Sequence, residues 1–185
     1  MTLGVVGFGR IGQRLAEMCR DALRMVVLVH DPYVDVGMVA AWGAEPVADL
    51  VELAGRVDVL SVHAPLTPGT RGLVSRDVIR ALKPGAILVN TSRGPLVDED
   101  ALVEALADGH LGGAGIDVYD PQPPAQEHPL YRFDHVVLTP HVASFTWEGR
   151  LRMGLTVVED VLRALRGERP EYLVHPEIWE KRRRV

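Results

Sequence analysis

Short runs of apolar, often β-branched residues alternate along this chain with longer stretches in which apolar residues recur every three or four positions. The short runs are typical of strands buried on both faces, and the longer stretches predict amphipathic helices. Predicted strands lie at 3–6, 25–29, 57–62, 86–90, 113–118 and 135–139, and predicted helices at 11–22, 48–54, 77–82, 98–106 and 145–166. This alternation predicts an α/β fold with a doubly wound parallel sheet. The first helix has an apolar stripe of Ile11, Leu15, Met18 and Ala22. Asp98 is the predicted cap of the fourth helix, and Ser144 or Thr146 is the predicted cap of the last.

The first predicted strand runs directly into a glycine-rich turn, Gly7–Gly12, which reads GFGRIG and has the spacing G-x-G-x-x-G. In such a turn the first glycine permits a tight bend and the second lets the backbone approach a pyrophosphate. The third glycine allows the following helix to pack closely on the strand. Backbone N–H groups at the start of that helix then face the anion.

An acidic residue completes this pattern. Asp31 follows the second predicted strand, 19 residues after Gly12, where a carboxylate can hydrogen-bond the ribose hydroxyls of a dinucleotide. A carboxylate there also repels a ribose phosphate. The order of strand, glycines, helix, strand and acid therefore predicts a dinucleotide site that prefers NAD to NADP.

Composition narrows the classes of protein to consider. The chain has 185 residues, 47% hydrophobic and 24% charged, which suits a globular domain with a substantial core. Its net charge of −5 argues against a nucleic-acid partner, and we interpret the basic run Lys181-Arg182-Arg183-Arg184 as a solvated tail. Cys19 is the only cysteine, which favours a reducing, cytoplasmic location. No run approaches the roughly 20 apolar residues of a membrane span.

Polar residues follow the predicted strands at the edge where parallel sheets bind ligands. Arg93 presents paired donors that suit a carboxylate, and His141 can exchange a proton near neutral pH. Asp117 can pair with a nicotinamide ring or its amide. With a dinucleotide, these groups suit hydride transfer on a 2-hydroxy or 2-oxo acid. Each has a structural alternative: Arg93 in an ion pair, His63 bonded to backbone, Asp117 in a turn, and His141 as a satisfied histidine before the last helix.

Five segments resemble the NAD-binding domain of the D-isomer-specific 2-hydroxyacid dehydrogenases, a family that includes phosphoglycerate, glycerate and formate dehydrogenases. They read GVVGFGRIGQRLA (4–16), VHAPLTPGTRGLV (62–74), LKPGAILVNTSRGPLVDEDALVEAL (82–106), GAGIDVYDP (113–121) and VVLTPHVAS (136–144). The resemblance implies an NAD-binding Rossmann domain over 1–167 and a C-terminal tail over 168–185. It also implies NAD as the cofactor and a small 2-hydroxy or 2-oxo acid as the substrate, and we assign no metal site.

The same resemblance implies roles for individual residues. Arg93 would bind the substrate carboxylate and polarise the substrate carbonyl, and His141 would act as the acid/base. The residues that the resemblance places at the cofactor are Gly7, Gly9, Arg10, Ile11, Gly12, Asp31, Ala64, Pro65, Thr70, Thr91, Asp117, His141 and Ala143.

The chain departs from the family pattern beside the catalytic histidine. The family has a glutamate five residues after the strand-end aspartate, hydrogen-bonded to that histidine, whereas this chain has Gln122. Asp120 and Glu127 are alternative sources of a carboxylate. A neutral amide can orient an imidazole but cannot stabilise its protonated form by charge. We therefore count Gln122 with the catalytic residues and predict slower catalysis, or a shifted pH optimum, than a glutamate would give.

A second departure concerns the extent of the chain. Family members build a substrate domain mostly from a segment before the glycine motif, whereas this sequence starts at the glycine-motif strand. We therefore expect the substrate domain to be absent and the chain alone to bind NAD with weak or no turnover. A homodimer is expected because family members pair through this domain. The alternative function is a non-catalytic NAD-binding scaffold or sensor.

Overall fold

The computed structural model describes residues 1–181, so that Arg182, Arg183 and Arg184 of the predicted basic tail lie outside the described residues. The chain divides after His141 into two compact units. The domain boundary predicted at residue 167 stays a prediction. Across residues 1–181, no helix combines the length and the apolar character that crossing a membrane would require.

The first unit contains a seven-stranded sheet in which every pair of neighbours is parallel. Its strands are β1 (Thr2–Val6), β2 (Val26–His30), β3 (Glu45–Pro46), β4 (Val59–Val62), β5 (Ala86–Asn90), β6 (Leu111–Ile116) and β7 (Val136–Leu138). Its helices are α1 (Arg10–Leu23), α2 (Val36–Ala41), α3 (Leu50–Arg56), α4 (Arg76–Ala81) and α5 (Glu99–Ala107), and 3₁₀ turns span Gly94–Leu96 and Pro129–Arg132. The predicted α/β fold is confirmed. The short strand β3 was not predicted because two residues carry no periodic signal.

The strand order is β3-β2-β1-β4-β5-β6-β7, so the direction of winding reverses between β1 and β4. Parallel pairing brings the last residues of six strands into one row across the sheet: His30, Val6, Val62, Asn90, Ile116 and Leu138. The segments that follow these residues therefore leave the sheet along one edge. Open sheets of this kind bind ligands in the crevice at that edge, beside the reversal of winding.

The sheet separates two apolar clusters. The larger cluster contains Leu28, and the smaller one contains the neighbouring strand residues Val27 and Val29. Because successive side chains of a strand point to opposite faces, both faces of β2 are covered. This burial on two sides explains why the strands read as nearly continuous apolar runs rather than as alternating patterns.

The apolar stripe of α1 does not coincide with the buried face of that helix. Ile11 and Met18 are 71% and 53% exposed, whereas Gly12 and Ala16 are buried. A Cβ atom at Gly12 would collide with the carbonyl oxygen of Gly7, so the helix begins in close contact with the glycine turn. Gly12 and Ala16 are therefore the buried residues of α1, Leu15 and Cys19 pack beside them partly buried, and Ile11 and Met18 are left at the surface.

The second unit begins at Val142 and contains α6 (Trp147–Leu165) and a 3₁₀ turn at Pro176–Lys181. No residue of α6 is buried, although apolar residues recur along one side of it: Leu151, Leu155, Val158, Leu162 and Leu165. The Asp160 carboxylate accepts hydrogen bonds from the backbone N–H groups of Glu171 and Tyr172, at 2.7 and 3.0 Å. The start of the C-terminal tail is therefore folded back against α6.

Two helices begin at predicted capping residues. Asp98 accepts a hydrogen bond from the backbone N–H of Ala101 at 3.0 Å, as expected for the cap of α5. Of the two candidates for the cap of α6, Ser144 and Thr146, the structure uses Thr146, whose hydroxyl accepts from the N–H of Gly149 at 3.0 Å.

Candidate dinucleotide and catalytic site

The three glycines of the turn serve different geometric purposes. Gly7 has a φ of +93°, and a Cβ atom there would lie 2.8 Å from the backbone of His63 and Ala64. Gly12 is required by the close approach of α1 to the turn. Gly9 differs, because a Cβ atom there would meet no atom of the described residues 1–181 within 4 Å. Since packing within the chain does not require a glycine at this position, its bare backbone fits the close approach of a phosphate group.

A cavity of about 870 Å³ lies beside the glycine turn. Its lining includes four of the residues expected at the cofactor, namely Gly9, Arg10, Ile11 and Thr91. Small-molecule and cofactor sites commonly have volumes of roughly 300 to 1,000 Å³. The cavity therefore has room for part of a dinucleotide and joins the start of α1 to the end of β5.

The lining also includes residues that the sequence did not assign to the cofactor: Arg14, Leu15, Met18 and His63. The first three follow Ile11 at positions i+3, i+4 and i+7, which puts them on the same side of the helix. Once Ile11 is assigned to the cofactor, this helical spacing predicts that Arg14, Leu15 and Met18 line the same cavity.

His63 is a neutral polar group in this cavity. The Ser61 hydroxyl lies 2.8 Å from Nε2 of His63. Burial lowers the pKa of His63 below the value of a free imidazole, which favours the uncharged ring at neutral pH. His63 can therefore form a hydrogen bond in the cavity without adding positive charge.

Asp31 connects the end of β2 to the glycine turn. Its carboxylate accepts hydrogen bonds from the backbone N–H groups of Phe8, at 2.7 Å, and Tyr33, at 2.9 Å. A second cavity, of about 290 Å³, is lined by His30, Asp31 and Pro32 among others. The predicted ribose ligand therefore lies next to the predicted phosphate turn, with its carboxylate oriented by two backbone donors.

The loop after β4 carries three more of the expected cofactor residues. Ala64 is buried against the glycine turn, within contact distance of a Cβ at Gly7. The Thr70 hydroxyl donates to the carbonyl of Pro65 at 2.7 Å and accepts from the N–H of Thr67 at 2.8 Å. These bonds fix the loop, and Pro65 and Thr70 do not line the larger cavity.

Arg93 lies on a short segment that hydrogen bonds hold in place after β5. The side-chain amide of Asn90 donates to the Arg93 carbonyl at 2.9 Å and accepts from the N–H of Ser92 at 3.0 Å. The Ser92 hydroxyl donates to the carbonyl of Val62 at 2.6 Å, which ties this segment to the end of β4. The guanidinium of Arg93 is exposed and donates to the carbonyl of Ser92, so its other donors face outward from a fixed backbone.

Asp117 is buried at the end of β6, with 2% of its surface exposed. Its carboxylate accepts a hydrogen bond from the Thr139 hydroxyl at 2.5 Å. Thr139 in turn donates its backbone N–H to the carbonyl of Ile116 at 3.0 Å. Asp117 is therefore in contact with the segment that leads from β7 to His141.

Gln122 and His141 are in direct contact. The side-chain nitrogen of Gln122 lies 2.6 Å from Nδ1 of His141, whose φ of +58° is unusual for a residue with a side chain. Asp120, one alternative source of a carboxylate, pairs with Arg71 at 3.2 Å. The residue beside His141 is therefore the one at the family's glutamate position, but here it is an amide, Gln122. Ala143 is exposed in the second unit.

Most of the predicted residues thus fall into two groups. Gly9, Arg10, Ile11 and Thr91 line one cavity, with Gly7, Gly12, Asp31 and Ala64 supporting the turn beside it. Gln122 and His141 form a contact pair at the same edge of the sheet, where the segments after β5, β6 and β7 supply Arg93, Asp117 and His141.

Comparison with known proteins identifies the family of the chain. Residues 1–143 match the family described as D-isomer specific 2-hydroxyacid dehydrogenase, NAD binding domain. The chain is 41% identical over 174 residues to the D-3-phosphoglycerate dehydrogenase of Methanocaldococcus jannaschii, covering 94% of this chain and 33% of that protein. It is 38% identical, over an alignment of 187 positions, to the glyoxylate reductase of Thermofilum pendens. That alignment covers 98% of this chain and 53% of the reductase.

A solved structure gives the same result. The crystal structure of the TT0316 protein from Thermus thermophilus is 45% identical and superposes with a TM-score of 0.86, covering 94% of this chain and 53% of that one. The chain therefore spans about a third to a half of the length of these relatives. On the sequence match, the superposition and the glycine turn with its acid, this chain belongs to the D-isomer specific 2-hydroxyacid dehydrogenases and is an NAD binding domain of that family.

Proposed function

We propose that the chain holds NAD(H) along the edge formed by Gly7–Gly12, Asp31, the loop Ala64–Thr70 and Thr91. The cavity that joins Gly9, Arg10 and Ile11 to Thr91 is the observation that carries this proposal. Backbone N–H groups at the start of α1 and the positive charge of Arg10 suit a pyrophosphate. The carboxylate of Asp31, already oriented by two backbone donors, suits ribose hydroxyls and disfavours a ribose phosphate.

We further propose that the whole protein is an oxidoreductase that interconverts a 2-hydroxy acid and the corresponding 2-oxo acid. When bound, NAD(H) accepts or supplies the hydride. Arg93 would bind the substrate carboxylate through two parallel hydrogen bonds and polarise the carbonyl. His141 would donate a proton to the carbonyl oxygen during reduction and remove it from the hydroxyl during oxidation. Gln122 would orient the imidazole ring without stabilising its protonated form by charge.

The chain spans only part of the length of its relatives, so substrate turnover is proposed for the whole protein. For the 185-residue chain we propose NAD binding with weak or no turnover. The test is a calorimetric titration with NAD together with NADH oxidation in the presence of glyoxylate, hydroxypyruvate and pyruvate. Binding of NAD without rapid turnover is the expected result. Failure to bind NAD would contradict the proposed cofactor site, and rapid turnover would contradict the need for further substrate-binding residues.

One observation favours a second function, a non-catalytic NAD-binding scaffold or sensor: an amide stands where the family has a carboxylate beside His141. The Arg93→Ala variant distinguishes the two functions in the whole protein. An enzyme would lose turnover and keep its affinity for NAD, whereas a scaffold would keep both its affinity for NAD and its partner. Arg93 is exposed and its segment is held by Asn90 and Ser92, so this variant is expected to fold normally.

We also propose that the protein forms a homodimer and acts in the cytoplasm. The apolar side chains exposed along α6 support association with another surface. A single, partly buried cysteine suits a reducing compartment. Sedimentation of the chain at several concentrations tests the first point, with a monomer at all concentrations as the contradicting result.

A further inference from the structure

The contact between Gln122 and His141 depends on a loop whose middle part, residues 120–127, is poorly buried. Gln122 lies in the connection between β6 and the 3₁₀ turn at Pro129–Arg132, and it is exposed. An exposed side chain on a connecting loop has many accessible orientations, and each one lost costs conformational entropy. A stable contact with His141 therefore requires that both ends of this loop be held from elsewhere.

The first end of the loop is held by Tyr119, which is 6% exposed. Its hydroxyl donates to the carbonyl of Thr139 at 3.1 Å, two residues before His141. A Cβ atom at Gly94, the residue after Arg93, would collide with the backbone of Tyr119. Tyr119 therefore contacts the segments that carry both Arg93 and His141, and it lies three residues before Gln122.

The second end of the loop is held by His128, which is 8% exposed. Its Nε2 lies 3.1 Å from a carboxylate oxygen of Glu99, at the start of α5. Its Nδ1 accepts the N–H of Leu130 at 3.4 Å, so both ring nitrogens have a partner. Burial raises the pKa of Glu99, and the neighbouring His128 opposes that rise.

The two anchors also contact each other. The rings of Tyr119 and His128 pack edge to face with their centroids 5.5 Å apart. This contact closes the loop at its base, because it joins the residue three positions before Gln122 to one six positions after it. A continuous set of contacts therefore runs from Glu99 through His128 and Tyr119 to the segment that ends at His141.

We propose that Tyr119 and His128 are positioning residues that set the contact between Gln122 and His141. Neither residue touches the reacting atoms in this proposal. Tyr119 holds the segment that carries Gln122 against the segment that leads to His141. His128 holds the far end of the loop against α5. The relevance of these residues to catalysis rests on the role proposed above for His141, whereas their effect on the contact itself does not.

The test is nuclear magnetic resonance on the full chain, with the Gln122→Ala variant giving the position of the His141 ring resonance when the contact is lost. Tyr119→Phe removes one hydroxyl and keeps the buried ring. We expect it to move the His141 resonance most of the way to the Gln122→Ala position. Tyr131→Phe is the matched control, because it removes a hydroxyl from the other tyrosine packed on His128 and is expected to leave the resonance in place.

A second pair of variants tests His128. Leucine at this position removes the donor to Glu99, whereas glutamine keeps an N–H group at a similar distance from the backbone. We expect His128→Leu to shift the His141 resonance away from its native position. His128→Gln should shift that resonance less. In a whole protein with turnover, Tyr119→Phe should lower kcat roughly tenfold to a hundredfold with KM for NADH unchanged.

Two results would overturn the proposal. One is a native His141 resonance in Tyr119→Phe, and the other is general loss of folded signals in that variant, since Tyr119 would then act by stabilising the domain as a whole. An NAD titration of the same samples separates this question from the proposed function. Lack of NAD binding would contradict the cofactor site without changing the interpretation of the His141 resonance.

Discussion

Alanine substitutions at Gly7 and Gly9 separate two reasons for glycine in this turn. At Gly7 the reason is packing and backbone conformation within the chain, and at Gly9 it is room for a phosphate group. Gly7 has a positive φ, and an added Cβ atom would lie 2.8 Å from backbone atoms of His63 and Ala64. A left-handed backbone costs a residue with a side chain roughly 1 to 2 kcal/mol. A forced contact in a packed region costs roughly 1 to 3 kcal/mol more. Gly7→Ala should therefore lower the free energy of unfolding by about 2 to 5 kcal/mol, out of a usual total of about 5 to 15 kcal/mol.

Gly9→Ala should have little effect on stability. Gly9 is the N-cap residue of α1 with an extended backbone (φ −71°, ψ −171°), and in the part of the chain that the structure describes an added Cβ would meet nothing within 4 Å. Alanine is a poorer cap than glycine by about 0.5 to 1 kcal/mol. The smaller conformational freedom of the unfolded chain offsets this by about 0.4 to 1 kcal/mol. The net change in the free energy of unfolding should therefore be within about 0.5 kcal/mol of zero.

The loss of NAD affinity, in contrast to the loss of stability, should be marked in Gly9→Ala. The methyl group of Gly9→Ala enters the cavity where we propose that the pyrophosphate approaches the backbone. Its affinity for NAD should fall by about tenfold or more, equivalent to about 1.4 kcal/mol or more. Urea unfolding and calorimetric titration of the native chain and both variants measure the two effects. Native affinity in Gly9→Ala would refute the assignment of the cavity, and equal destabilisation by both variants would refute the geometry of the turn.

Three further changes test other parts of the molecule. In the whole protein, Gln122→Glu should raise activity or move the pH profile of turnover upward, because a carboxylate stabilises protonated His141; an unchanged profile would count against the role of Gln122. The Lys83 ammonium lowers the pKa of Asp58, so this pair stabilises the fold above pH about 4 and loses that effect as pH falls through the lowered pKa. Asp58→Asn should reduce stability at neutral pH but much less in acid, and equal loss at both pH values in thermal melts would contradict this. Leu53→Ala removes a fully buried side chain and should cost about 2 to 5 kcal/mol in urea unfolding, with a smaller loss indicating that the core collapses around the cavity.

Local sequence was enough to predict the parts of the molecule that depend on neighbouring residues. The alternation of strands and helices follows from apolar periodicity. The cap at Asp98 follows from a short polar side chain that hydrogen-bonds the first turn of a helix, whereas the structure chose Thr146 over Ser144. The glycine turn followed by Asp31 is also a local pattern. In the structure these two features meet, because the backbone N–H of Phe8 donates to the Asp31 carboxylate.

The tertiary structure decided which residues meet across the sheet edge. Periodicity gave α1 an apolar stripe through Ile11 and Met18, but contact with the glycine turn selected the smaller residues Gly12 and Ala16 for burial. The contact of Gln122 with His141 was expected from the family resemblance and not from local sequence, since the two residues are 19 positions apart on different connections. A periodic pattern records the apolar character of a face and does not encode its neighbour. The sequence by itself therefore determined the elements and the phosphate turn, and packing between distant segments determined the cavity lining and the surroundings of His141.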